Sequence, residues 1–226
     1  MSDDLARLIA QNRVFEELTS AQRDTASARA NRRHYAAGAF IAHYGDVWPY
    51  LFMVGAGAVN ALKESADGRQ LIVLTLKPGE LFWGLGFFNE GMATPVALLA
   101  QDATDLHIWP RDALLPLLLD NPQALWRLTQ IMVTRMAQAS QILEGLAFQP
   151  VAGRLARFLL DQFSDAGEPS LERSLTLDDI AARVGSTREM VCRALYQFSD
   201  KDFIRITRTE FTLINEDGLA DIAARG

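Results

Sequence analysis

The spacing of apolar residues changes several times along the chain, and each change predicts a different kind of element. Helical spacing over residues 5–9 and 14–18 predicts short helices, and Thr19 is predicted to be an N-cap. From residue 34 to residue 110, short apolar runs alternate with glycine and aspartate, which predicts a small antiparallel barrel or sandwich. The expected strands cover residues 39–41, 51–54, 57–62, 71–76, 96–100 and 105–109.

An Asp-Gly pair marks the clearest turn in this segment. Asp67 and Gly68 separate two apolar runs, and this pair tolerates the positive φ that a primed hairpin turn requires. The sequence therefore predicts a β-hairpin that is closed there by a tight primed turn.

After residue 110 the pattern returns to helical spacing. Asn121 is predicted to cap a long helix that has Pro122 at its first position and ends at Pro150. Such a helix is about 40 Å long, and its apolar residues alternate at spacings of three and four, as in a two-stranded coiled coil. We expect a dimerisation helix rather than a helix packed only on its own barrel. The predicted seam consists of Leu125, Leu128, Met132, Ala139, Ile142 and Leu146.

Beyond a further helix over residues 151–163 and a loop, two short helices are joined by glycine. Thr176 and Asp179 have the spacing of a capping box, and Gly185 suits a sharp left-handed turn. Ser186 and Glu189 are predicted to form a second capping box. This arrangement is typical of a helix-turn-helix, whose second helix enters the major groove of DNA by its N-terminus.

Charged residues at the start of the second helix have the chemistry to contact base edges. Arg188 and Arg193 suit guanine, Glu189 suits the cytosine amine, and the two capping signals favour this role over a merely solvated helix face. Alternating residues at 203–206 and 211–214 predict a β-hairpin wing. The candidate DNA-binding residues are Ser186, Thr187, Arg188, Glu189, Arg193 and Arg208.

The composition mainly excludes some classes of protein and some kinds of site. The 226 residues are 49% hydrophobic and 22% charged, which is ordinary for a globular protein, and the net charge of −6 argues against general coating of nucleic acid. One cysteine, Cys192, excludes an intrachain disulfide and a four-cysteine metal site. Without a long apolar run or a secretory signal, a cytoplasmic protein with no membrane partner is expected.

The order of elements, together with several motifs, resembles the Crp–Fnr family of bacterial transcription regulators. The motifs lie at residues 79–81, 86–88, 146–148, 153–156 and 185–193. This resemblance covers nearly the whole chain. It implies an α+β fold with an effector-sensing β-roll domain at 1–120, a dimerisation helix at 121–149 and a winged helix-turn-helix domain at 150–226. It also implies a homodimer on a palindromic operator with a TGTGA-like half-site, an activator role and contact with RNA polymerase.

The segment that matches the family's nucleotide-binding loop departs from the family pattern. By the resemblance, the ribose-binding glutamate falls on Gly84, and the phosphate-binding arginine and serine fall on Thr94 and Pro95. Of the two polar positions that meet the base, Ser140 remains and Ala139 does not. Because the charged partner of the phosphate is missing, cyclic AMP is not expected to be the effector.

Aromatic residues in the same segment leave two interpretations open. Phe82, Trp83, Phe87, Phe88 and Met92 either line an apolar cavity for an aromatic, acyl or porphyrin-like effector or simply pack the barrel. Arg135 either meets an anionic group of the effector or extends to solvent. The candidate effector pocket comprises Phe82, Trp83, Gly84, Leu85, Phe87, Thr94, Pro95, Arg135 and Ser140.

Haem remains an open alternative as a cofactor. His34 and His43 are better candidates for an axial ligand than His107, which lies in an apolar strand, and no other metal site is expected. The sequence shows no nucleophile–base–acid set, so we do not expect an enzyme. A regulator without an effector, its pocket filled by Trp83, and a haem-based gas sensor both remain alternatives.

Overall fold

The computed structural model describes residues 3–224, which form two units. The first unit takes the chain up to Lys63 together with Val73–Ala137, and the second takes Glu64–Ile72 together with the chain from Gln138 onward. The division falls inside the long helix. No helix within residues 3–224 has the length and apolar character needed to cross a membrane.

The predicted β-roll is confirmed in the first part of the chain. Its strands form two four-stranded sheets, in the orders β1-β8-β3-β6 and β2-β7-β4-β5. The elements are α1 (Asp3–Gln11), α2 (Ser20–Arg29), β1 (Asn31–Tyr35), β2 (Phe40–Ala42), β3 (Tyr50–Ala56), β4 (Val59–Glu64), β5 (Gln70–Leu76), β6 (Leu81–Trp83), α3 (Leu85–Phe88), β7 (Ala97–Ala100), β8 (Thr104–Pro110), α4 (Arg111–Leu119) and α5 (Pro122–Phe148).

The N-terminal segment differs from the prediction in one place. Thr19 caps α2 through a capping box with Gln22, as expected. Val14, Phe15 and Leu18 lie in turns rather than in a helix, although all three are buried. Apolar spacing over five residues fits a buried turn as well as a helix, because both place every third or fourth side chain inward.

Two strands of the roll were not predicted from the sequence, and each has a physical reason. Strand β1 is polar and mostly exposed, because it lies at the edge of its sheet and pairs only with β8. Strand β6 has only three residues, Leu81–Trp83, which is too short to show an alternating pattern.

The hairpin between β4 and β5 is confirmed, but its turn is not the predicted primed turn. Gly68 has φ +79°, whereas Asp67 is not at positive φ, and a type I′ turn needs both. The Gly68 N–H donates to the Ser65 carbonyl, and the Ser65 N–H donates to the Arg69 carbonyl, both at 2.9 Å. Asp67 instead accepts hydrogen bonds from the Ser65 hydroxyl and the Arg69 guanidinium, which hold a longer loop.

The long helix α5 begins as predicted, because the Asn121 side chain accepts the N–H of Ala124. Three residues of the predicted seam pack within the first unit. Leu128 is 1% exposed within the core of the first unit, and Leu125 and Met132 pack against that core. These side chains therefore pack in the core of their own unit. In the later half of the predicted seam Ala139 is exposed, whereas Ile142 is half-buried and Leu146 is 37% exposed.

A different face of α5 is exposed, one residue along from the predicted one. Met136 and Leu143 are 69% and 68% exposed, and Trp126 and Val133 are also exposed. With Thr129, Ser140 and Ala147 they continue an unbroken alternation of three and four residues. We call this set (Trp126, Thr129, Val133, Met136, Ser140, Leu143 and Ala147) the outer face of α5.

The second unit contains the predicted helix-turn-helix and wing. Its elements are α6 (Val151–Ala166), β9 (Ser170–Glu172), α7 (Leu177–Val184), α8 (Arg188–Asp200), β10 (Ile204–Ile206), β11 (Glu210–Leu213) and α9 (Glu216–Ala224). The three strands form one antiparallel sheet in the order β10-β11-β9. Strand β9 and helix α9 were not predicted. The core of this unit joins α6 to α7 and α8 through residues such as Leu155, Leu159 and Leu195.

Replacing Trp109 tests the attachment of the N-terminal helices to the roll. The Trp109 ring is fully buried, and its Nε1 donates to the Ala26 carbonyl at 2.7 Å. Trp109→Phe leaves that carbonyl unsatisfied, so we expect the free energy of unfolding to fall by about 1–3 kcal/mol. Urea unfolding followed by fluorescence measures this change, because Trp48, Trp83 and Trp126 lie in the same unit. Tyr44→Phe, at an exposed ring, is the control; equal effects would contradict the prediction.

Candidate nucleic-acid interface

The turn before the reading helix is built by a capping box and a left-handed glycine. The Thr176 hydroxyl accepts the Asp179 N–H at 3.1 Å, and the Asp179 carboxylate accepts the Thr176 N–H at 2.9 Å. At the other end of α7, Gly185 has φ +63°. A Cβ on Gly185 would lie 2.5 Å from the Leu146 Cδ2, so the Leu146 side chain packs on this turn, and the positive φ favours glycine there.

The reading helix α8 begins one residue later than predicted. Its N-cap is Thr187, whose hydroxyl accepts the Met190 N–H at 3.3 Å. The predicted capping box of Ser186 and Glu189 is wrong. The Ser186 N–H donates to the Ala181 carbonyl at 2.9 Å, so Ser186 ends α7 rather than starting α8. The Glu189 carboxylate binds Arg193 instead.

The N-terminal edge of α8 presents polar groups to solvent over an apolar inner face. Thr187, Arg188, Glu189 and Arg193 are exposed, whereas the opposite side of the helix is buried in the core of the unit. The buried residues are Val191, Ala194, Leu195 and Phe198. Since the inner face fixes the rotation of the helix, the outer edge holds the predicted DNA-binding groups together.

Both reading arginines make exposed ion pairs. Arg188 lies 3.3 Å from the Asp178 carboxylate, and Arg193 lies 3.0 Å from the Glu189 carboxylate. Exposed pairs of this kind stabilise a protein by only about 0–1 kcal/mol. The guanidinium groups can therefore exchange these carboxylates for base edges or phosphates at little cost.

The wing lies beside this helix in sequence and has a defined tip. The Thr207 hydroxyl accepts the N–H groups of Thr209 and Glu210, and Arg173 donates to the Thr207 carbonyl at 2.7 Å. The Arg173 guanidinium also lies 5.0 Å from the centre of the Phe211 ring. Arg208 is exposed at the tip between these anchored residues. Sequence reasoning did not find Arg173, because its partners are more than thirty residues away.

In the first unit, most of the predicted pocket aromatics pack the core. Phe87 is fully buried, and Trp83 and Phe88 pack against the same cluster. Phe82 lies between the Trp83 and Phe52 rings, with centroids 5.9 Å from each. Leu85 is half-buried, and Met92 is exposed at the surface. This geometry is that of a filled barrel wall, the second of the two interpretations of these side chains.

Of the positions that match the nucleotide-binding groups, Gly84 and Thr94 have their surroundings filled by the chain itself. A Cβ on Gly84 would lie 1.9 Å from the Trp48 carbonyl oxygen, so the backbone of Trp48 occupies the space of a side chain there. Thr94 is buried, its hydroxyl donates to the Val96 carbonyl, and its N–H donates to the Asp46 carbonyl. Pro95 is exposed and has no N–H. Ser140 is exposed on α5.

A cavity of about 500 Å³ lies elsewhere in the first unit, between α1, the segment before β6 and α5. Of the predicted pocket residues it contains Arg135, which lies 3.1 Å from the Glu80 carboxylate. Glu80 also accepts the Lys77 N–H at 2.8 Å. The cavity is lined by Leu8, Gln11, Asn12, Arg13, Pro78, Gly79, Glu80, Leu81, Ile131 and Arg135. Arg135 therefore does not extend freely to solvent, and no sequence signal links it to Glu80.

The histidines occupy three different settings. His34 is exposed, with its Nδ1 3.2 Å from the Asp105 carboxylate, and His43 stacks on Phe40 with ring centroids 4.6 Å apart. His34 lies in β1 and His43 follows β2, which belong to different sheets. His107 is buried, and its burial lowers the pKa of the imidazole. Within residues 3–224, no group of three or more His, Cys, Asp or Glu side chains is placed to hold a metal ion.

Comparison with known proteins agrees with this architecture. Residues 153–222 match the model of the Crp-like helix-turn-helix domain, and residues 32–121 match the cyclic nucleotide-binding domain. The chain is 30% identical over 190 residues to the cAMP-activated global transcriptional regulator Vfr of Pseudomonas aeruginosa, covering 81% of this chain and 89% of that protein. The chain belongs to the Crp–Fnr family.

Further similarity within the Crp–Fnr family extends over most of the chain. The cyclic AMP receptor protein of Thermus thermophilus is 27% identical over 193 residues, which cover 85% of this chain and 88% of that protein. A crystal structure of a transcriptional regulator of the crp/fnr family from Eubacterium rectale has the same fold, with a TM-score of 0.75 at 23% identity, covering 93% of this chain and 97% of that one. The chain is accordingly a DNA-binding transcription regulator of the Crp–Fnr type.

Proposed function

We propose that this regulator binds a near-palindromic operator as a homodimer and contacts each half-site through the N-terminal edge of α8. The observation that carries this proposal is the exposed set of Thr187, Arg188, Glu189 and Arg193 above a buried apolar face. Arginine pairs with guanine O6 and N7, and glutamate accepts from the cytosine amine. A TGTGA-like half-site offers both kinds of base edge.

The outer face of α5 supports a second copy of the chain as the partner. Its apolar members lie at coiled-coil spacing on a 27-residue helix and are exposed, whereas Ala124 and Leu128 on the same helix are buried in the first unit. Each large apolar side chain buried in a seam contributes about 1.5–3 kcal/mol of transfer free energy. In a parallel pair of such helices, each copy would bury the exposed apolar side chains of its outer face against the other copy.

The effector, if there is one, differs from cyclic AMP. The relatives named above include a cAMP-activated regulator, but in this chain Gly84 packs against the Trp48 carbonyl and Thr94 is engaged with its own backbone neighbours. A cyclic phosphate would enter this segment without a charged partner, and burial of an unpaired anion is costly. The cavity that contains Arg135 is the alternative place for a small molecule. The filled aromatic wall equally favours a regulator without an effector, and His34 and His43 keep the haem alternative open.

Selection of random duplexes followed by sequencing tests the DNA site. Wild type is expected to enrich a palindrome, and Glu189→Ala should lose about 1–3 kcal/mol of binding free energy and relax the preference at one base pair per half-site. Glu216→Ala, which removes an exposed carboxylate at the start of α9, is the control and should leave the motif unchanged. If Glu189→Ala enriches the same DNA motif as wild type, the proposal that the N-terminal edge of α8 contacts the bases is wrong.

Light scattering after gel filtration tests the dimer. Leu143→Glu places a carboxylate within the proposed seam, so this variant is expected to be monomeric at micromolar concentration and to bind the operator at least about tenfold more weakly. Gln141→Glu makes a similar charge change at an exposed position beside the face and should remain a dimer. Dimeric Leu143→Glu would show that the seam lies elsewhere.

Thermal unfolding and operator affinity with and without cyclic AMP test the effector. Neither quantity is expected to change at millimolar cyclic AMP, because no charged group at Thr94 or Pro95 can bind the phosphate. A saturable shift in either quantity would overturn this expectation. Mass spectrometry of the purified protein then shows whether another small molecule copurifies with it, which distinguishes a regulator with a different effector from one without an effector.

A further inference from the structure

One guanidinium lies among the backbone carbonyls of three segments of the second unit. Arg154, in the first turn of α6, donates from Nε to the Val184 carbonyl at 2.7 Å and from Nη2 to the Gly185 carbonyl at 3.1 Å. From Nη1 it donates to the carbonyls of Gln149 at 2.5 Å and Gly145 at 3.3 Å. All four acceptors are uncharged.

These four acceptors lie where helices end. Gly145 is in the last turn of α5, Gln149 follows that helix, and Val184 and Gly185 end α7 just before the reading helix. Carbonyls at a helix C-terminus lack intrahelical donors and carry the negative end of the helix dipole, so a cation is well placed to bind them. Burial lowers the pKa of the Arg154 guanidinium but leaves it charged.

Apolar contact reinforces the same junction. The Leu146 side chain, in the last turn of α5, would lie 2.5 Å from a Cβ on Gly185, so Leu146 packs directly on the turn of the helix-turn-helix. The end of α5 and the start of the reading region are thus in contact, and Arg154 is the polar group that bonds to both. Charge-assisted hydrogen bonds are about twice as strong as neutral ones and have a directional preference.

We infer that Arg154 is a positioning residue that sets the angle between the end of α5 and the helix-turn-helix, and thereby the distance between the two half-sites that the dimer selects. This inference rests on the homodimer and palindrome of the proposed function. Paired reading helices bind half-sites about one helical turn, or about 34 Å, apart. A looser junction lets the two reading helices fit several separations, while the contacts of each helix with its bases stay the same.

The planar fork of arginine is needed for this role. A lysine at position 154 keeps the charge, but its single ammonium group cannot reproduce the fork that reaches carbonyls on both sides of the junction. A methionine keeps an unbranched apolar stem and removes every donor together with the charge. The two substitutions therefore form a graded series in which the donors of the fork are first replaced and then removed.

The test uses the palindrome that wild type enriches, with the spacer between the half-sites changed by −1, +1 and +2 base pairs. Wild type is expected to bind the best spacer at least about tenfold more tightly than the others. Arg154→Met should reduce this discrimination to about threefold or less, and Arg154→Lys should lie between them, with the base preference in each half-site unchanged. Arg157→Met removes a neighbouring arginine that donates to the Ala223 carbonyl in α9, and it should keep the wild-type spacing profile.

Circular dichroism and gel filtration first establish that each variant is folded and dimeric. Should Arg154→Met fail to fold, Arg154→Lys decides the outcome. A folded Arg154→Lys with the full wild-type spacing profile overturns the inference, as does an Arg157→Met variant that loses discrimination equally. If the wild-type protein enriches no palindrome, the proposed function is contradicted. If Arg154→Lys keeps the sharp preference for one spacer length, only the role of Arg154 is contradicted.

Discussion

Burial of one face of α8 is the constraint on which the DNA-binding surface depends. Val191, Leu195 and Phe198 lie in the core of the second unit, and this fixes both the rotation of the helix and the set of side chains that point outward. Residues on one helix face recur every three or four positions, so Glu189 and Arg193 share the outer face and reach each other. The side chains of the proposed DNA-contacting edge are therefore selected by apolar packing on the other side of the helix.

Local hydrogen bonds and caps determine where the short helix α7 begins and ends. Thr176 and Asp179 satisfy each other's backbone groups at the N-terminus, and Gly185 turns the chain at the C-terminus. Because Ser186 still donates to the carbonyl of Ala181, the next helix begins at Thr187 as its cap. The sharpness of this turn brings the end of α7 close enough for one arginine, Arg154, to bond to it and to the end of α5.

The elements with strong periodicity were predictable from the sequence, and the errors are small displacements with local causes. The long helix and its Asn121 cap were found, but the sequence did not show that Leu125 and Leu128 pack inside their own unit, because they are as apolar as the outer face. Periodicity identifies an apolar face without saying what packs against it. The second capping box failed for a related reason, since Ser186 and Thr187 are both good caps and only the end of α7 decides between them.

Contacts between distant parts of the chain left no trace in the sequence. Arg135 and Glu80 are 55 positions apart, and nothing in their neighbours indicates that they pair. The edge strand β1 was missed because its polar side chains carry no alternation, although its backbone pairs with β8 along five residues. Each of these features is a property of the assembled roll rather than of a local segment.

Gly84 shows how such a contact changes the meaning of a motif. From the sequence alone, glycine in place of a ribose-binding glutamate is a lost side chain, and a single substitution would restore it. In the structure a Cβ at this position would meet the Trp48 carbonyl at 1.9 Å, so the space itself has been taken by backbone. Trp48 in turn packs against Tyr50 and Phe52, which belong to the wall of the roll. Restoring the glutamate would therefore require moving the backbone of Trp48, just before β3, together with its aromatic neighbours. The departure from the nucleotide-binding pattern is thus built into the packing of the roll and is not confined to one residue.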